Sequence, residues 1–454
     1  MLRFLRDDWQ FILLVALWVA VAVYLGPVIF AFLPLTVFFM KSREMWAEMM
    51  FGFLIILVLS DITPFYNRMQ VIKSAKNMYI VALALIFILE RQRFVPFSQV
   101  FTIFLPFFIF SLIPLVFSNS LVTAVQKTLS FALIYLVVPN YVLYNFRRIG
   151  WQFFRNLLFF MTCILLAGWI THYHGEFYSF VGGRFRGLFG NPNGMAIYCY
   201  LTIVLLTVVI SLNRKLFSWK ERLLLYVIVG LFLIYSGSRA SLAATMIFLL
   251  FHRFFAASPF LGFVGLVFLI GAAELVSSNL EAIITTLGLE KYFRIETLED
   301  GSGRYFAWTF TWGHIQRYFV FGGGFGNDER IMRYYRFYLW SMGHQGGVHN
   351  SYLSMWLNTG VVGLLFYLRS FFLLFIKASK LVPMSLAVMF SVLFSIMYES
   401  WLVGSLNPYT IVLLIIMTVV SEEEITNWTE LRPEAGGEQV EEEEAPKPAL
   451  AAAN

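Results

Sequence analysis

Arginine recurs in this 454-residue chain at places where apolar surroundings make it costly. Arg184 and Arg186 lie in Gly-Gly-Arg-Phe-Arg-Gly-Leu-Phe-Gly-Asn-Pro-Asn, Arg239 in Ser-Gly-Ser-Arg-Ala-Ser, and Arg304 directly after Gly-Ser-Gly; Arg317, Arg330, Arg333 and Arg336 follow. Arg239 is the most informative, because it stands between two apolar runs with almost no loop. A guanidinium in that position usually faces a cavity and a partner. The partner can be an anion, since the guanidinium is a rigid fork of donors that fits a phosphate. The same spacing also fits an interfacial arginine snorkelling to headgroups, or pairing with Asp61, Glu274 or Glu399.

His349 opens His-Asn-Ser-Tyr-Leu-Ser-Met-Trp-Leu-Asn-Thr-Gly-Val-Val-Gly at the start of an apolar run. Its pKa suits general-base work near neutral pH, although a lone histidine there is also a natural interfacial hydrogen-bonding group. His344 is a lesser candidate, and His252 and His314 receive no role. His172 and His174 form an H-x-H pair without a third ligand at a compelling spacing, so no metal site is expected. Gly322-Gly-Gly-Phe-Gly-Asn327 lacks the Lys-Ser/Thr of a phosphate-binding loop and follows no predicted strand. It reads as a flexible turn, and nucleotide binding is rejected. Cys163 and Cys199 both sit in apolar runs and read as buried thiols.

The elements that position these residues must be membrane helices. The chain is 59% hydrophobic, 19% aromatic and only 13% charged, with a mean hydropathy of +0.74. A soluble domain is about a quarter charged, whereas a spanning helix of roughly 20 apolar residues can be greasy all round. The formal charge of +6 is the lysine and arginine excess of cytoplasmic loops and does not imply a nucleic-acid partner. The start Met1-Leu-Arg-Phe-Leu-Arg resembles a signal peptide, but the apolar stretch continues to Met40, so an uncleaved first span is expected.

Twelve to fourteen spans are predicted, near 10–25, 27–40, 48–60, 78–90, 99–117, 128–145, 156–171, 193–212, 222–236, 240–252, 258–277, 359–376, 383–400 and 408–420. Gly26-Pro27 divides the first pair as a tight turn. With the N-terminus cytoplasmic, Lys41/Arg43, Arg91/Arg93, Arg147/Arg148/Arg155, Arg214/Lys215/Lys220/Arg222, Arg253 and Lys377/Lys380 fall on inner loops, while Arg68, Lys73 and Lys76 do not. The fold class is therefore an all-α polytopic membrane protein. Residues 1–277 form an N-terminal transmembrane bundle, 278–350 a long outer loop, 351–420 the C-terminal spans, and 421–454 a disordered acidic cytoplasmic tail without chemistry. The long loop carries Trp308, Trp312, Tyr334, Tyr335, Phe337 and Trp340. It is too aromatic for disorder and is expected to fold as helices on the membrane surface.

In this order, Arg184-Phe-Arg186-Gly with Asn191-Pro-Asn193, Ser-Gly-Ser-Arg239-Ala-Ser, Ser302-Gly-Arg304 with Trp308, Gly323-Gly-Phe-Gly326-Asn, and His349-Asn-Ser-Tyr-Leu with Gly360 and Gly363 resemble the O-antigen ligase and O-antigen polymerase superfamily. The resemblance is strongest from Gly183 to Leu368. It implies a GT-C-like inner-membrane glycosyltransferase with its active site facing the periplasm, needing no cofactor, metal or nucleotide sugar. The implied donor is a glycan on undecaprenyl diphosphate, transferred with inversion to an acceptor hydroxyl on lipid A-core, or on a second lipid-linked glycan if the chain is a polymerase. A third branch of the superfamily glycosylates protein hydroxyls. His349 matches the general base, Arg239 and Arg304 the arginines around the diphosphate, and Arg184, Arg186, Asn350 and Trp308 the diphosphate- or glycan-binding positions.

The rival of another class is a polysaccharide or lipid transporter, with a non-catalytic scaffold as a third reading. Transporters tend to carry internal repeats and polar residues at the membrane midplane. No repeat relates the halves of this sequence, and its charge gathers at one face beside one long loop.

Overall fold

The structure, a computed structural model, describes residues 9–61, 70–170, 179–265, 267–268, 304–344 and 346–428. His172, His174, Arg68, Glu274, the Gly-Ser-Gly before Arg304 and most of the acidic tail lie outside these residues. Seven described helical stretches are long and apolar enough to cross a membrane: Trp9–Ser42, Gln70–Leu89, Gln99–Phe117, Leu121–Ile149, Gln152–Ile170, Pro192–Leu212 and Ser351–Ser379. The protein is thus an all-α polytopic membrane protein. The remaining apolar runs form shorter helices, among them Trp46–Asp61, Trp219–Tyr235, Arg239–Ala257, Ser385–Tyr398 and Pro408–Ser421. Pro408–Ser421, at 14 residues, rises only about 21 Å against roughly 30 Å of hydrocarbon. It is buried along its whole length, so other helices sheathe it and it need not match the lipid.

The first stretch is a hairpin. Trp18 Nε1 donates to Thr36 Oγ1 at 2.8 Å although 18 residues separate them; along a straight helix they would stand about 27 Å apart. The chain reverses at Gly26, whose φ of 54° is in the left-handed region, with Pro27 beside it, where the sequence predicts the turn.

Charged side chains collect at the two ends of the bundle. At one end Arg147 pairs with Glu424 at 2.7 Å, Arg93 with Glu44 and Glu90, Lys41 with Glu90, and Arg155 with Glu221. Helix Trp46–Asp61 runs from this end to the other, where Asp61 accepts from Gly190 N and the Tyr409 hydroxyl. The residues singled out for chemistry gather at that second end. Lys76, an exception to the charge pattern of the loops, donates from Nζ to Leu406 O at 2.8 Å.

Two expectations need correction. The tail is ordered as far as Trp428: Glu422 Oε1 accepts from Ser98 Oγ and Gln99 N at 2.6 and 2.9 Å. A carboxylate at the start of helix Gln99–Phe110 satisfies orphan amides and complements the helix dipole, and Glu424 neutralises Arg147, so the first acidic residues dock instead of fraying. Between Ser179 and Asn193, Phe180–Val181 and Arg184–Phe185 form a two-stranded antiparallel ribbon, turned by Gly182 and Gly183 at positive φ.

The second correction concerns the glycine run, which is no flexible turn. Gly323 N and Gly324 N donate to the carbonyls of Leu357 and Asn358 at 3.1 and 2.9 Å. Helix Ser351–Ser379 breaks at Gly360, with φ 71° and ψ 176°, and a Cβ there would collide with the Val320 carbonyl. The run docks the long loop that precedes this helix onto the kink, backbone against backbone. The described part of that loop is helical, at Arg304–Ile315, Asn327–Tyr334 and Arg336–Ser341. Cys163 and Cys199 are free thiols.

Candidate functional site

Glu399, the residue that ends helix Ser385–Tyr398, joins the site together. Its Oε1 accepts from Arg304 Nη2 and from Asn193 Nδ2, each at 2.7 Å. Its Oε2 lies 3.2 Å from His349 Nδ1. Asn193 in turn accepts on Oδ1 from Arg184 Nη2 at 2.5 Å, and Arg184 Nε donates to Ser236 O at 2.7 Å. This chain of contacts reaches to within three residues of Arg239, which is exposed at the first position of helix Arg239–Ala257.

Local sequence explains why the pieces meet. In Asn191-Pro-Asn193, Asn191 caps helix Pro192–Leu212 by accepting from Gly194 N at 2.7 Å, Pro192 takes the first-turn position where its missing N–H costs nothing, and Asn193 is left to relay between Arg184 and Glu399. In Ser236-Gly-Ser, Gly237 has φ +59°, and a Cβ there would press within 3.3 Å of Arg184 Nε. Helices starting at Pro192, Arg239 and Ser351 therefore open toward one place, and Arg304 is the first described residue of a fourth. Helix N-termini carry partial positive charge and free amides. Cations such as Arg239 are ordinarily unfavourable there, so their presence adds to a field that attracts an anion.

His349 is held in the left-handed region, at φ 50°, which is uncommon for a residue with a side chain. Its Nε2 lies 3.0 Å from Gly346 O, Trp308 Nε1 donates to its carbonyl at 3.4 Å, and the His344 ring meets it edge to face at 5.6 Å. Burial disfavours the charged imidazole, but the hydrogen bond and charge of Glu399 outweigh burial and the opposing Arg304, so the His349 pKa stands above the ordinary value. Glu399 is the converse: burial would raise its carboxyl, and His349 and Arg304 together hold it below the usual range. Because both acceptors facing the ring are oxygen atoms, this conformation suits an imidazolium. With one proton removed, Glu399 retains the Nδ1–H tautomer and leaves Nε2 as the basic atom.

The other predicted residues are placed as follows. Arg304 also lies over the Tyr398 ring at 5.8 Å. Arg184 is half-buried, whereas Arg186 is fully buried and donates from Nη1 to Phe189 O at 3.4 Å, so Arg184 is the one that reaches the cluster. Asn350 caps helix Ser351–Ser379 by accepting from Leu353 N at 3.0 Å, and its own N–H donates to Ser400 Oγ at 2.9 Å. Sequence reasoning missed Asn193 as a relay and named Glu399 only as a possible partner of Arg239. The available signal was a lone carboxylate immediately after an apolar run. Among the described residues no group of histidine, cysteine and carboxylate side chains is arranged to hold a metal ion.

Residues 223–368 match the family model described as O-antigen ligase. The matched stretch contains Arg239, Arg304, Trp308, His349 and Asn350, while Arg184, Asn193 and Glu399 reach the same cluster from outside it. No curated protein matches the chain.

Proposed function

We propose that this chain, which over residues 223–368 carries a domain of the O-antigen ligase/polymerase superfamily, is a glycosyltransferase of the ligase type in the bacterial inner membrane. Its active site faces the periplasm. It transfers a glycan from undecaprenyl diphosphate to a hydroxyl of lipid A-core. His349 Nε2 takes the acceptor proton, the acceptor oxygen attacks the anomeric carbon from the face opposite the leaving group, and the bond from that carbon to the diphosphate oxygen breaks. Arg304, Arg239 and Arg184 stabilise the negative charge that develops on the departing lipid diphosphate, a task that fixed cations perform without reorganising.

The observation that carries this reading is the contact of Arg304 and His349 with the two oxygens of one carboxylate. That arrangement holds a base and a leaving-group cation at a fixed separation, and a transporter or scaffold does not need it. Asp61, Asn193 and Glu399 lie at one end of the bundle, away from the midplane position expected of a transport site.

The test is transfer in vesicles containing the purified protein, a lipid-diphosphate-linked glycan and purified lipid A-core. Transfer that requires Arg304 and His349 supports the reading; binding of the donor without any transfer, or transfer unaffected by either substitution, overturns it. Surface glycans of a deletion strain separate the two activities of the superfamily. Loss of all polymer from lipid A-core while lipid-linked polymer accumulates means ligase, and a ladder reduced to one repeat means polymerase.

A further inference from the structure

Against Gly346, Gly347 and Val348, the residues just before His349, lies a cavity of about 450 Å³. Its wall includes Gly346, whose carbonyl contacts His349 Nε2, and Ser400, the neighbour of Glu399. The remaining wall comes from Asp328, Arg333, Arg336 and Trp340 of the outer loop and from the Lys127–Glu329 ion pair. A second hollow of about 330 Å³, lined by Ser118, Ser120, Thr123 and Tyr334, shares Gly326, Glu329 and Arg333 with the first. Together they make a trough that runs across helix Asn327–Tyr334 and ends against Gly346–Val348, the residues just before His349.

The lining selects the ligand. It mixes donors, acceptors and hydroxyls with the largely exposed rings of Trp340 and Tyr334, the combination that packs a sugar face and bonds its hydroxyls. Lys127 and Glu329 neutralise each other, and the Asp328 carboxylate is buried, accepts from Asn358 Nδ2 at 3.1 Å, and is pushed up in pKa by that burial. Arg333 and Arg336, both exposed, make no ion pair among the described residues; Arg336 lies over the neighbouring Phe337 ring at 4.6 Å. Outside the Lys127–Glu329 pair the trough therefore holds three guanidiniums, Arg330, Arg333 and Arg336, none of them ion-paired among the described residues, against the single carboxyl group of Asp328.

We infer that this trough is the acceptor site, and that it takes an oligosaccharide carrying an anionic group, a phosphate or a carboxylate, which Arg333 and Arg336 bind while the sugar presents its hydroxyl to His349 Nε2. The inference rests on the proposed glycosyl transfer for its direction, since the arginines joined to Glu399 and Asn193 are there given to the donor. The anionic group forms charge-assisted bonds to guanidinium, which are stronger than the neutral bonds a plain sugar makes.

The test is equilibrium binding to the full-length protein in lipid nanodiscs of three probes: trigalacturonate, a phosphorylated trimannoside and neutral trimannose, with inorganic phosphate as a fourth arm. The expected result is that at least one anionic trisaccharide binds about tenfold or more tightly than neutral trimannose, with the preferred arm identifying carboxylate or phosphate. Arg333→Gln with Arg336→Gln should erase the difference, and Arg333→Lys with Arg336→Lys should keep part of it. Both side chains lie on the surface, and unchanged thermal unfolding of each variant verifies folding. Equal binding of neutral and anionic trisaccharides, no trisaccharide binding at millimolar concentration, inorganic phosphate binding as tightly as the trisaccharides, or wild-type behaviour of the glutamine variant each overturn the inference. Binding of the lipid-linked donor, measured on the same samples, should survive the glutamine substitutions. Its loss in wild-type protein is a failure of the proposed function, not of the trough.

Discussion

Glu399 Oε2 lies 3.2 Å from His349 Nδ1, across 50 residues of sequence, and this contact sets both the tautomer and the charge of the proposed base. A carboxylate that holds Nδ1–H leaves Nε2 as the atom that accepts a proton, and it makes that atom more basic.

The pH dependence follows from the two shifts. His349 is raised, so its contribution to stability is fully present below the unfolded histidine value of about 6.5 and is lost as pH rises through its folded value. Glu399 is lowered, so its contribution is present above the unfolded carboxyl value and is lost as pH falls through its folded one. Catalysis needs the neutral ring, so kcat/KM should rise with pH through a limb above about 6.5. Glu399→Gln should move that limb to lower pH and lower the plateau by about a hundredfold, the scale of losing a base's alignment. A limb that stays in place in the pH profile refutes the coupling.

Arg304 supplies the opposite sign. It disfavours the imidazolium of His349 while it neutralises Glu399. Arg304→Gln should therefore shift the same limb upward in pH, and it should reduce kcat by about 10²–10³-fold through loss of leaving-group stabilisation. Measuring both variants over the same pH range separates the two effects. Limbs moving in the same direction would mean that a structural change, and not charge, is being read.

The bundle was legible in the sequence because helices facing lipid must be apolar over their length, and the arginine cluster because a guanidinium among such helices needs a reason. Glu399 and Asn193 were not legible as partners. They act across 206 residues, and nothing in local spacing says which helix ends become neighbours. The glycine run at 322–326 was misread for a related reason. Glycine reports that a side chain does not fit, but flexibility and close backbone docking have the same composition, and only the packing against Asn358 and Gly360 tells them apart. Similarly, the tail's acidity resembles disorder until Arg147 and the start of helix Gln99–Phe110 are seen to receive it.

His349→Ala should leave binding of the lipid-linked donor within about threefold of wild type and reduce transfer by about 10²–10⁴-fold, the usual contribution of a general base. Filter binding of labelled donor and a transfer assay on the same preparation check this. A chelator should change neither quantity. Inhibition by chelator would return attention to His172 and His174, which lie outside the described residues.

Gly360 links the stability of the long loop before helix Ser351–Ser379 to the position of the proposed base. Its φ of 71° lies where a side chain costs about 1–3 kcal/mol. In addition, an added Cβ would meet the Val320 carbonyl and Phe321 N, backbone atoms that cannot rotate away. Val361 N donates to Phe319 O at 2.8 Å, so the kink and the glycine run move together. Gly360→Ala should lower the thermal midpoint in detergent and increase proteolysis within residues 316–326, while a change on a lipid-facing position of the same helix, Leu365→Ala, should do neither. Transfer should fall with it, because helix Ser351–Ser379 carries His349 at its start. If Gly360→Ala keeps the wild-type midpoint and proteolysis pattern, the loop is not held by this contact, and the placement of His349 depends instead on its contacts with Glu399, Gly346 and Trp308.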